Sequence, residues 1–300
     1  MGLDLVDAHP PARDLFAKAD EVMGFSLSRI CFHGPSEALI QTAYAQPAIL
    51  TVSLACLQIL RDRLPNLQPA MVAGHSLGEF SALVAAGALS FEEAISLVHE
   101  RGKLMAEAGK RSPGGMAAIL GLDEKTVGRI CQEATRSGDI VQIANINAPG
   151  QIVVSGDQSG LKRATALALA RGSTKVIPLA VSVAPHSPLM EAVVGAFRDE
   201  VRKVQLRAPL IPVIGNVTGQ PLLGASEIRQ ELERQLISPV RWVESIRYMI
   251  DKGAAAFVEV GPGNVHRGLL RRIDSTAEAV SVGDKQSIDA LARDLMGGGL

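Results

Sequence analysis

The stretch Pro69-Ala-Met-Val-Ala-Gly74-His75-Ser76-Leu77-Gly78 decides the fold of this chain. The apolar run that ends at Gly74 predicts a buried strand, and small residues then carry the chain sharply into a predicted helix over Leu77–Ala86. The pattern G-x-S-x-G places a serine on a tight strand-to-helix turn that projects its hydroxyl from the sheet. Ser76 is therefore a candidate nucleophile, because the helix N-terminus supplies N–H groups and a positive dipole to a developing oxyanion. A purely structural glycine turn is the alternative interpretation.

The sequence on either side of this stretch predicts helices. The first 60 residues look helical, and Ala48–Leu60 predicts an apolar helix with Pro47 in its first turn. Ser90-Phe-Glu-Glu93 predicts a capping box at the start of the next helix after Leu77–Ala86. That helix carries an apolar stripe formed by Phe91, Ile95, Val98 and Met105.

The segment from Gly114 to Leu179 has the predicted order β-α-β-β-α-β, which is that of a split βαβ or ferredoxin-like unit. The segments outside it alternate helix and strand, which is typical of a parallel α/β sheet. We therefore predict a discontinuous large domain over 1–112 and 181–300 and a small inserted subdomain over 113–180. The elements predicted in the insert are strand Met116–Leu120, helix Asp123–Ser137, strands Val141–Ile146 and Ile152–Ser155, helix Gln158–Arg171 and strand Lys175–Leu179. Those predicted after it are helix Met190–Val204, strand Ile211–Asn216, helices Glu227–Leu236 and Val243–Lys252, and strand Ala256–Val260.

Composition excludes several classes of function. The 30 Lys and Arg nearly balance the 31 Asp and Glu in this chain of 300 residues, which argues against a general nucleic-acid or membrane-surface binder. The three cysteines lie far apart without metal-ligand spacing, so we expect a reduced, cytoplasmic protein. The N-terminus lacks the apolar region of a signal peptide, and we expect no apolar run long enough to span a membrane.

A nucleophilic serine needs a base, and six histidines are available. His186 lies in a loop that leaves an apolar strand, and the sequence favours it only modestly over His266, which follows a Gly-Pro-Gly turn. Of the others, we expect His9 and His33 in surface loops, His99 solvated on a helix, and His75 turned away from its neighbour's hydroxyl.

Arg101 lies at the edge of the apolar stripe of its helix. An arginine in this position either extends its charged end to water or is buried against an anion. A guanidinium pairs bidentately with a carboxylate, so the second interpretation implies an acidic substrate.

Several motifs match one known family. The longest are Gly74-His-Ser-Leu-Gly-Glu-Phe-Ser-Ala-Leu83 and Arg101-Gly-Lys-Leu-Met105. Further matches are Gln46-Pro-Ala48, Asn147-Ala-Pro-Gly-Gln-Ile-Val153, Gln235-Leu236 before Pro239-Val-Arg-Trp242, and Glu259-Val-Gly-Pro-Gly263. Over about residues 1–275 the chain resembles the malonyl-CoA:acyl-carrier-protein transacylases of fatty acid synthesis.

This resemblance implies an α/β-hydrolase-like large domain with a ferredoxin-like insert and a Ser-His dyad in place of a triad. It makes Ser76 the nucleophile and His186 the base, which the backbone carbonyl of Gln235 orients. It further implies that Arg101 binds the malonyl carboxylate. Gln46 would line the site, and the Leu77 N–H would be one oxyanion donor.

The sequence departs from the family pattern in two places. Met1-Gly-Leu-Asp4 begins where the family's first strand and Gly-Gln-Gly-Ser-Gln turn end, so we expect a central strand and a second oxyanion donor to be missing. This predicts either a coding sequence that starts upstream or a crippled form. Pro185 stands where the family commonly has Ser or Phe, which weakens the expectation of a strict preference for malonyl over methylmalonyl.

The resemblance implies a ping-pong transfer between malonyl-CoA and acyl carrier protein, with no metal or redox cofactor and with coenzyme A thioester as a substrate. We expect a monomer that binds neither nucleic acid nor membranes. Three alternatives stay open at this point: a G-x-S-x-G thioesterase, an acyltransferase of a polyketide-type system, and an inactive subunit that binds carrier protein.

Overall fold

The structure is a computed structural model that describes residues 1–136 and 138–296. Its N-terminal region is helical, as predicted. These helices enclose much of the main apolar core, together with two helices that follow the serine turn. They are α1 (Leu3–Ala8), α2 (Pro10–Met23), α3 (Leu27–His33), α4 (Ser36–Ile40) and α5 (Thr42–Arg63).

Helix α5 begins earlier than predicted, so Pro47 lies inside it and not in its first turn. A proline has no N–H to donate to the carbonyl four residues back, which here belongs to Ala43. His99 Nδ1 lies 2.8 Å from that carbonyl and donates to it. The expectation that His99 is solvated is therefore wrong, because its imidazole replaces the missing helical hydrogen bond.

Helix α5 is also long and apolar enough to cross a membrane by length and composition alone, contrary to the expectation of no such run. Most of this apolar stretch is buried against the neighbouring helices of the main core. A core helix passes the same test as a membrane span, so this property is weak evidence for a membrane.

The serine turn lies between a short strand and a short helix. Strand β1 (Val72–Ala73) leads into the turn, and helix α6 (Gly78–Ala85) leaves it. Helix α7 (Phe91–Arg111) follows, and its predicted capping box is confirmed. The Ser90 hydroxyl accepts from the Glu93 N–H at 3.2 Å, and the Glu93 carboxylate accepts from the Ser90 N–H at 3.3 Å.

The middle segment forms a four-stranded antiparallel sheet with two helices, in the predicted order of elements. The strands lie in the order β3-β4-β2-β5, and both helices pack with the sheet around a separate apolar core. The helix predicted to end at Ser137 ends at Ala134, and Ser137 lies outside the described residues. The elements are β2 (Gly114–Leu120), α8 (Glu124–Ala134), β3 (Val141–Ala148), β4 (Gln151–Asp157), α9 (Gln158–Ala170) and β5 (Lys175–Pro178).

The remaining segment returns to the large unit and contains four elements that the sequence did not predict. These are β7 (Pro221–Leu222), α13 (Val265–Ile273), β9 (Glu278–Val282) and α14 (Lys285–Met296). A 3₁₀ turn over Pro188–Met190 precedes the first of its helices. The elements are α10 (Glu191–Lys203), β6 (Val213–Ile214), β7 (Pro221–Leu222), α11 (Ala225–Gln235), α12 (Trp242–Asp251), β8 (Ala256–Val260), α13 (Val265–Ile273), β9 (Glu278–Val282) and α14 (Lys285–Met296).

The predicted single parallel sheet is wrong for the described residues, where β1-β6-β7 and β8-β9 are two separate sheets. The first is mixed, because β1 and β6 are parallel while β6 and β7 are antiparallel. Its strands are short because Pro212 has no N–H for the ladder and Gly74 and Gly215 follow the paired residues. The architecture is therefore α/β with mixed sheets.

The parallel pair β1 and β6 sets the position of the site. Val72 lies opposite Val213 and Ala73 lies opposite Ile214, so both strands end at the same edge. The loop after β6 consequently meets the serine turn after β1.

Candidate active site

Ser76 has a backbone conformation that an L-amino acid rarely adopts, with φ of 51°. The turn is also crowded, because a Cβ at Gly74 would lie 1.9 Å from the backbone of Gly78. Gly74 is therefore required for close backbone approach, whereas a Cβ at Gly78 would meet open space. Strain of this kind persists only where surrounding contacts hold it, and it concentrates at functional sites.

His186 is the only other non-glycine residue with positive φ in the described part of the chain, at 58°. Its Nε2 lies 2.9 Å from the Ser76 hydroxyl oxygen. Its Nδ1 lies 2.9 Å from the Gln235 carbonyl and 3.0 Å from the Ser238 carbonyl. Carbonyls only accept, so Nδ1 carries the proton and Nε2 is free to accept the serine proton. The two residues thus form a dyad with the geometry of nucleophile and general base.

A glutamine that the sequence analysis missed holds the His186 loop. Gln142 Nε2 donates to the carbonyl of His186 at 2.6 Å and to that of Ile237 at 3.1 Å. A signal was available, since Gln142 is one of two polar residues, with Asn145, in the otherwise apolar predicted strand Val141–Ile146. Strand β3 of the middle segment therefore supports the position of the candidate base His186.

The pKa of His186 is lowered to about 3, first by burial and then by the positive charge of Arg101 and the nearby His75. A histidine whose pKa is lowered is neutral above that value, and its function as a base is lost only as the pH falls towards it. The imidazole is therefore ready to accept a proton throughout the neutral range.

We expect an uncharged fluorophosphonate to label Ser76 at rates that differ by less than about threefold between pH 5 and pH 7, because the His186 imidazole stays neutral over this whole range. The measurement is the labelling rate at each pH, with thermal melting as the control for folding. A loss of rate with a midpoint near pH 6.5 would contradict the buried, neutral base.

The Arg101 side chain is 1% exposed. It is therefore buried against polar groups and does not extend into water. Its guanidinium donates to Gln46 Oε1 at 2.7 Å, to Gln235 Oε1 at 2.9 Å and to the Ser76 hydroxyl at 3.0 Å. Among the described residues it forms no salt bridge, and its Nε has no hydrogen-bond partner.

Burial lowers the pKa of Arg101 to about 10, against the opposing effect of Glu79, so the side chain stays cationic at neutral pH. A buried cation without a directly paired anion is costly unless a ligand supplies the negative charge. The arrangement therefore fits an acyl group that carries a carboxylate beside the nucleophile.

The Leu77 N–H has the position expected of an oxyanion donor. Leu77 follows the nucleophile at the N-terminus of α6, and no acceptor within the described ranges takes its N–H. A free backbone N–H at this point can stabilise the negative charge of a tetrahedral intermediate.

The other histidines lie away from the Ser76 hydroxyl. His75 Nε2 lies 2.8 Å from Asn147 Oδ1, and the His75 ring stacks on His266 with 5.7 Å between centroids. His266 also lies against Trp242, which leaves it out of contact with the nucleophile. His9 instead pairs with Asp62 at 3.0 Å. His33 is exposed at the end of α3.

Comparison with known proteins places the chain in context. A family model described as acyl transferase domain matches residues 1–297. The malonyl CoA-acyl carrier protein transacylase of Bacillus subtilis is 40% identical over 289 residues, which is 96% of this chain and 90% of that protein. The crystal structure of an acyl carrier protein S-malonyltransferase from Vibrio cholerae superposes with a TM-score of 0.92 and 40% identity, covering 97% of this chain and 94% of that one. A malonyl-transacylase bound to a type II PKS acyl-carrier protein superposes with a TM-score of 0.94 and 38% identity, covering 98% and 94%.

Proposed function

We propose a function for this chain, which belongs to the acyl transferase family. It transfers a malonyl group from malonyl-CoA to the phosphopantetheine thiol of acyl carrier protein in fatty acid biosynthesis. The observation that carries the proposal is the buried guanidinium of Arg101, 3.0 Å from the Ser76 hydroxyl and without a carboxylate partner among the described residues. An esterase for uncharged acyl groups has no need of such a cation.

In the first half-reaction the Ser76 oxygen attacks the thioester carbonyl, and its proton moves to His186 Nε2. The Leu77 N–H stabilises the oxyanion of the tetrahedral intermediate. The intermediate collapses as the carbon–sulfur bond breaks, and the protonated imidazole returns the proton to the departing CoA thiolate. The product is malonyl-Ser76, whose carboxylate pairs with Arg101.

In the second half-reaction the phosphopantetheine thiol gives its proton to His186 and attacks the malonyl ester. The serine oxygen leaves and takes that proton back, so the free enzyme is regenerated. Side chains and backbone N–H groups of this chain supply every step. Coenzyme A enters as a substrate thioester, and the mechanism involves no metal or redox cofactor.

Intact mass spectrometry tests the proposal. The protein is incubated with malonyl-CoA and then with holo acyl carrier protein. We expect a single malonyl adduct on the protein, followed by its transfer to the carrier. Release of free malonate at the same rate without a carrier would instead indicate a thioesterase, and absence of an adduct would indicate an inactive form.

Replacement of His186 by alanine should slow malonyl loading by at least about 10²-fold, the usual contribution of a general base. The loss follows from the 2.9 Å contact between Nε2 and the serine hydroxyl. His266→Ala is the matched control, because His266 is the rival base that lies away from Ser76. A larger loss in the control than in His186→Ala would reassign the base.

An acyltransferase of a polyketide-type system remains the second candidate. It shares all of the chemistry above, and one solved structure similar to this chain is a complex with a type II PKS acyl-carrier protein. The rates of transfer to fatty-acid and to polyketide carriers, measured side by side, separate the two candidates.

We also infer the finer architecture and setting. The order β3-β4-β2-β5 and the separate core support a ferredoxin-like subdomain over 113–180. The serine turn between β1 and α6 supports an α/β-hydrolase-like domain over 1–112 and 181–300. A cytoplasmic location fits three buried cysteines that form no disulfide, and we keep the expectation of a monomer as part of the proposal.

A further inference from the structure

We propose that Glu79 is a positioning residue of this active site: its carboxyl group fixes the amide orientations of Asn216 and Gln235, and these hold Ser76 and Arg101 in place. The inference rests on the proposed function, because it concerns the same nucleophile. Glu79 lies three residues after Ser76 on α6 and is fully buried beneath the serine turn.

Both oxygens of Glu79 accept hydrogen bonds from groups that reach the nucleophile. Oε1 accepts from the Asn216 backbone N–H at 2.9 Å and from Asn216 Nδ2 at 3.1 Å. With its Nδ2 held there, Asn216 turns Oδ1 towards Ser76, whose N–H it accepts at 2.6 Å. The same Nδ2 also donates to the Gly74 carbonyl at 2.7 Å. The strained turn at Ser76 is thus held on both sides by one amide.

The second oxygen of Glu79 sets the orientation of Gln235. Oε2 accepts from Gln235 Nε2, which also donates to the Ser76 carbonyl at 3.0 Å. This turns Gln235 Oε1 towards Arg101, which donates to it at 2.9 Å. Arg101 can only donate, so the orientation is unique. The Glu79 carboxyl group thereby supports the buried guanidinium of Arg101 indirectly, through the amide of Gln235.

Glu231 is a second buried carboxyl group in hydrogen-bonding contact with Glu79. Burial and the charge of Glu231 raise the pKa of Glu79, because each carboxyl group disfavours ionisation of the other. Glu231 Oε1 accepts from the Val217 N–H at 2.5 Å, and the carboxyl group also lies against the Asn216 N–H. Among the described residues it forms no hydrogen bond with Ser76, His186 or Arg101.

The two glutamates therefore respond differently to glutamine. At position 79 both oxygens are needed as acceptors, and an amide has only one oxygen. In Glu79→Gln the NH₂ group therefore faces an N–H donor of either Asn216 or Gln235, and one hydrogen bond is lost. At position 231 an amide oxygen can still accept from Val217 while its NH₂ group donates to Glu79. Two substitutions of equal size at neighbouring buried sites thus have opposite expected outcomes.

The test measures the rate at which an uncharged fluorophosphonate labels Ser76, and separately the rate of malonyl loading, in folded, full-length protein. Misplacement of the reacting groups by about 1 Å costs about 10²-fold, which is the loss expected for both rates in Glu79→Gln. Glu231→Gln should stay within about threefold of the original protein, because its amide can still accept from Val217 and donate to Glu79 while the Asn216 N–H keeps its bond to Glu79. Circular dichroism and thermal melting establish folding for each variant.

A double variant, Glu79→Gln with Gln235→Glu, reverses the donor and acceptor between these two residues. The new amide at position 79 then donates to the new carboxylate at position 235, and that carboxylate accepts from Arg101. The carboxylate cannot donate to the Ser76 carbonyl as Gln235 Nε2 does, so one hydrogen bond, worth about tenfold in rate, is still lost. We therefore expect fluorophosphonate labelling to recover to within about tenfold of the original rate. A merely structural role of Glu79 would not produce this recovery. The double variant also decides the matter if Glu79→Gln alone does not fold.

The proposal is overturned if folded Glu79→Gln labels at the original rate, if Glu231→Gln loses as much, or if the double variant shows no recovery. Failure of the proposed function is a different result. In that case the unmodified protein reacts with fluorophosphonate and does not load from malonyl-CoA, and the positioning role of Glu79 is still measured by labelling.

Discussion

Ser76→Ala will show no malonyl adduct after incubation with malonyl-CoA. In the proposed mechanism the serine oxygen is the atom that forms the ester, and alanine offers none. Loss of the nucleophile from a serine enzyme lowers turnover on the order of 10⁶-fold, so residual transfer should be undetectable in the same assay. The measurement is the intact mass of the protein with time, supported by peptide mapping of the adduct.

Ser155→Ala is the matched control for this experiment. Ser155 is fully buried in β4, and its hydroxyl has no hydrogen-bond partner among the described residues. Its replacement removes the same atom without removing a hydrogen bond, so the variant should load malonyl normally. A malonyl adduct on folded Ser76→Ala protein would disprove the assignment of the nucleophile.

Arg101→Ala will change the selectivity of loading as well as its rate. The malonyl carboxylate would then be buried without a partner, at a cost of about 2–5 kcal/mol. Acetyl-CoA has no carboxylate and is spared this cost, although both substrates lose the contact between Arg101 and the Ser76 hydroxyl. The ratio of acetyl to malonyl loading, measured in competition, should therefore rise steeply.

Two variants accompany this measurement. Lys103→Ala removes a positive charge from the exposed face of the same helix, where Lys103 pairs with Glu100, and should leave the ratio unchanged. Arg101→Lys keeps the charge and loses the bidentate geometry, so its ratio should be intermediate. Equal losses for acetyl and malonyl in Arg101→Ala would show that the guanidinium only supports the fold.

Local sequence signals were reliable where one residue and its immediate neighbours set the structure. The capping box at Ser90 and the order of elements from β2 to β5 depend on hydrogen bonds and side-chain periodicity within short segments, and both were predicted. Pro47 shows the limit of such signals. It lies inside α5 because His99, on another helix, donates to the carbonyl that the proline leaves without a helical partner.

The candidate site residues also divide into those that local sequence indicated and those that it did not. The sequence indicated Ser76 through its turn and Arg101 through its place on an apolar stripe, and the family resemblance supplied His186, Gln46, Leu77 and Gln235. Burial of Arg101 and its distance from Ser76 were open questions, since snorkelling to water fits the same sequence. Only the fold brings the two side chains to 3.0 Å.

By itself, the sequence determined the serine turn, because Gly74 and Ser76 are neighbours whose backbone geometry is local. Tertiary structure alone decided which groups hold that turn under strain. Asn216 and Gln235 reach it from parts of the chain far from Ser76, and Glu79, only three residues after Ser76, contacts both of them. Such contacts leave no periodic pattern in the sequence. The hydrogen-bond partners of a buried amide or carboxyl group come together only when α6, α11 and the loop after β6 pack against one another.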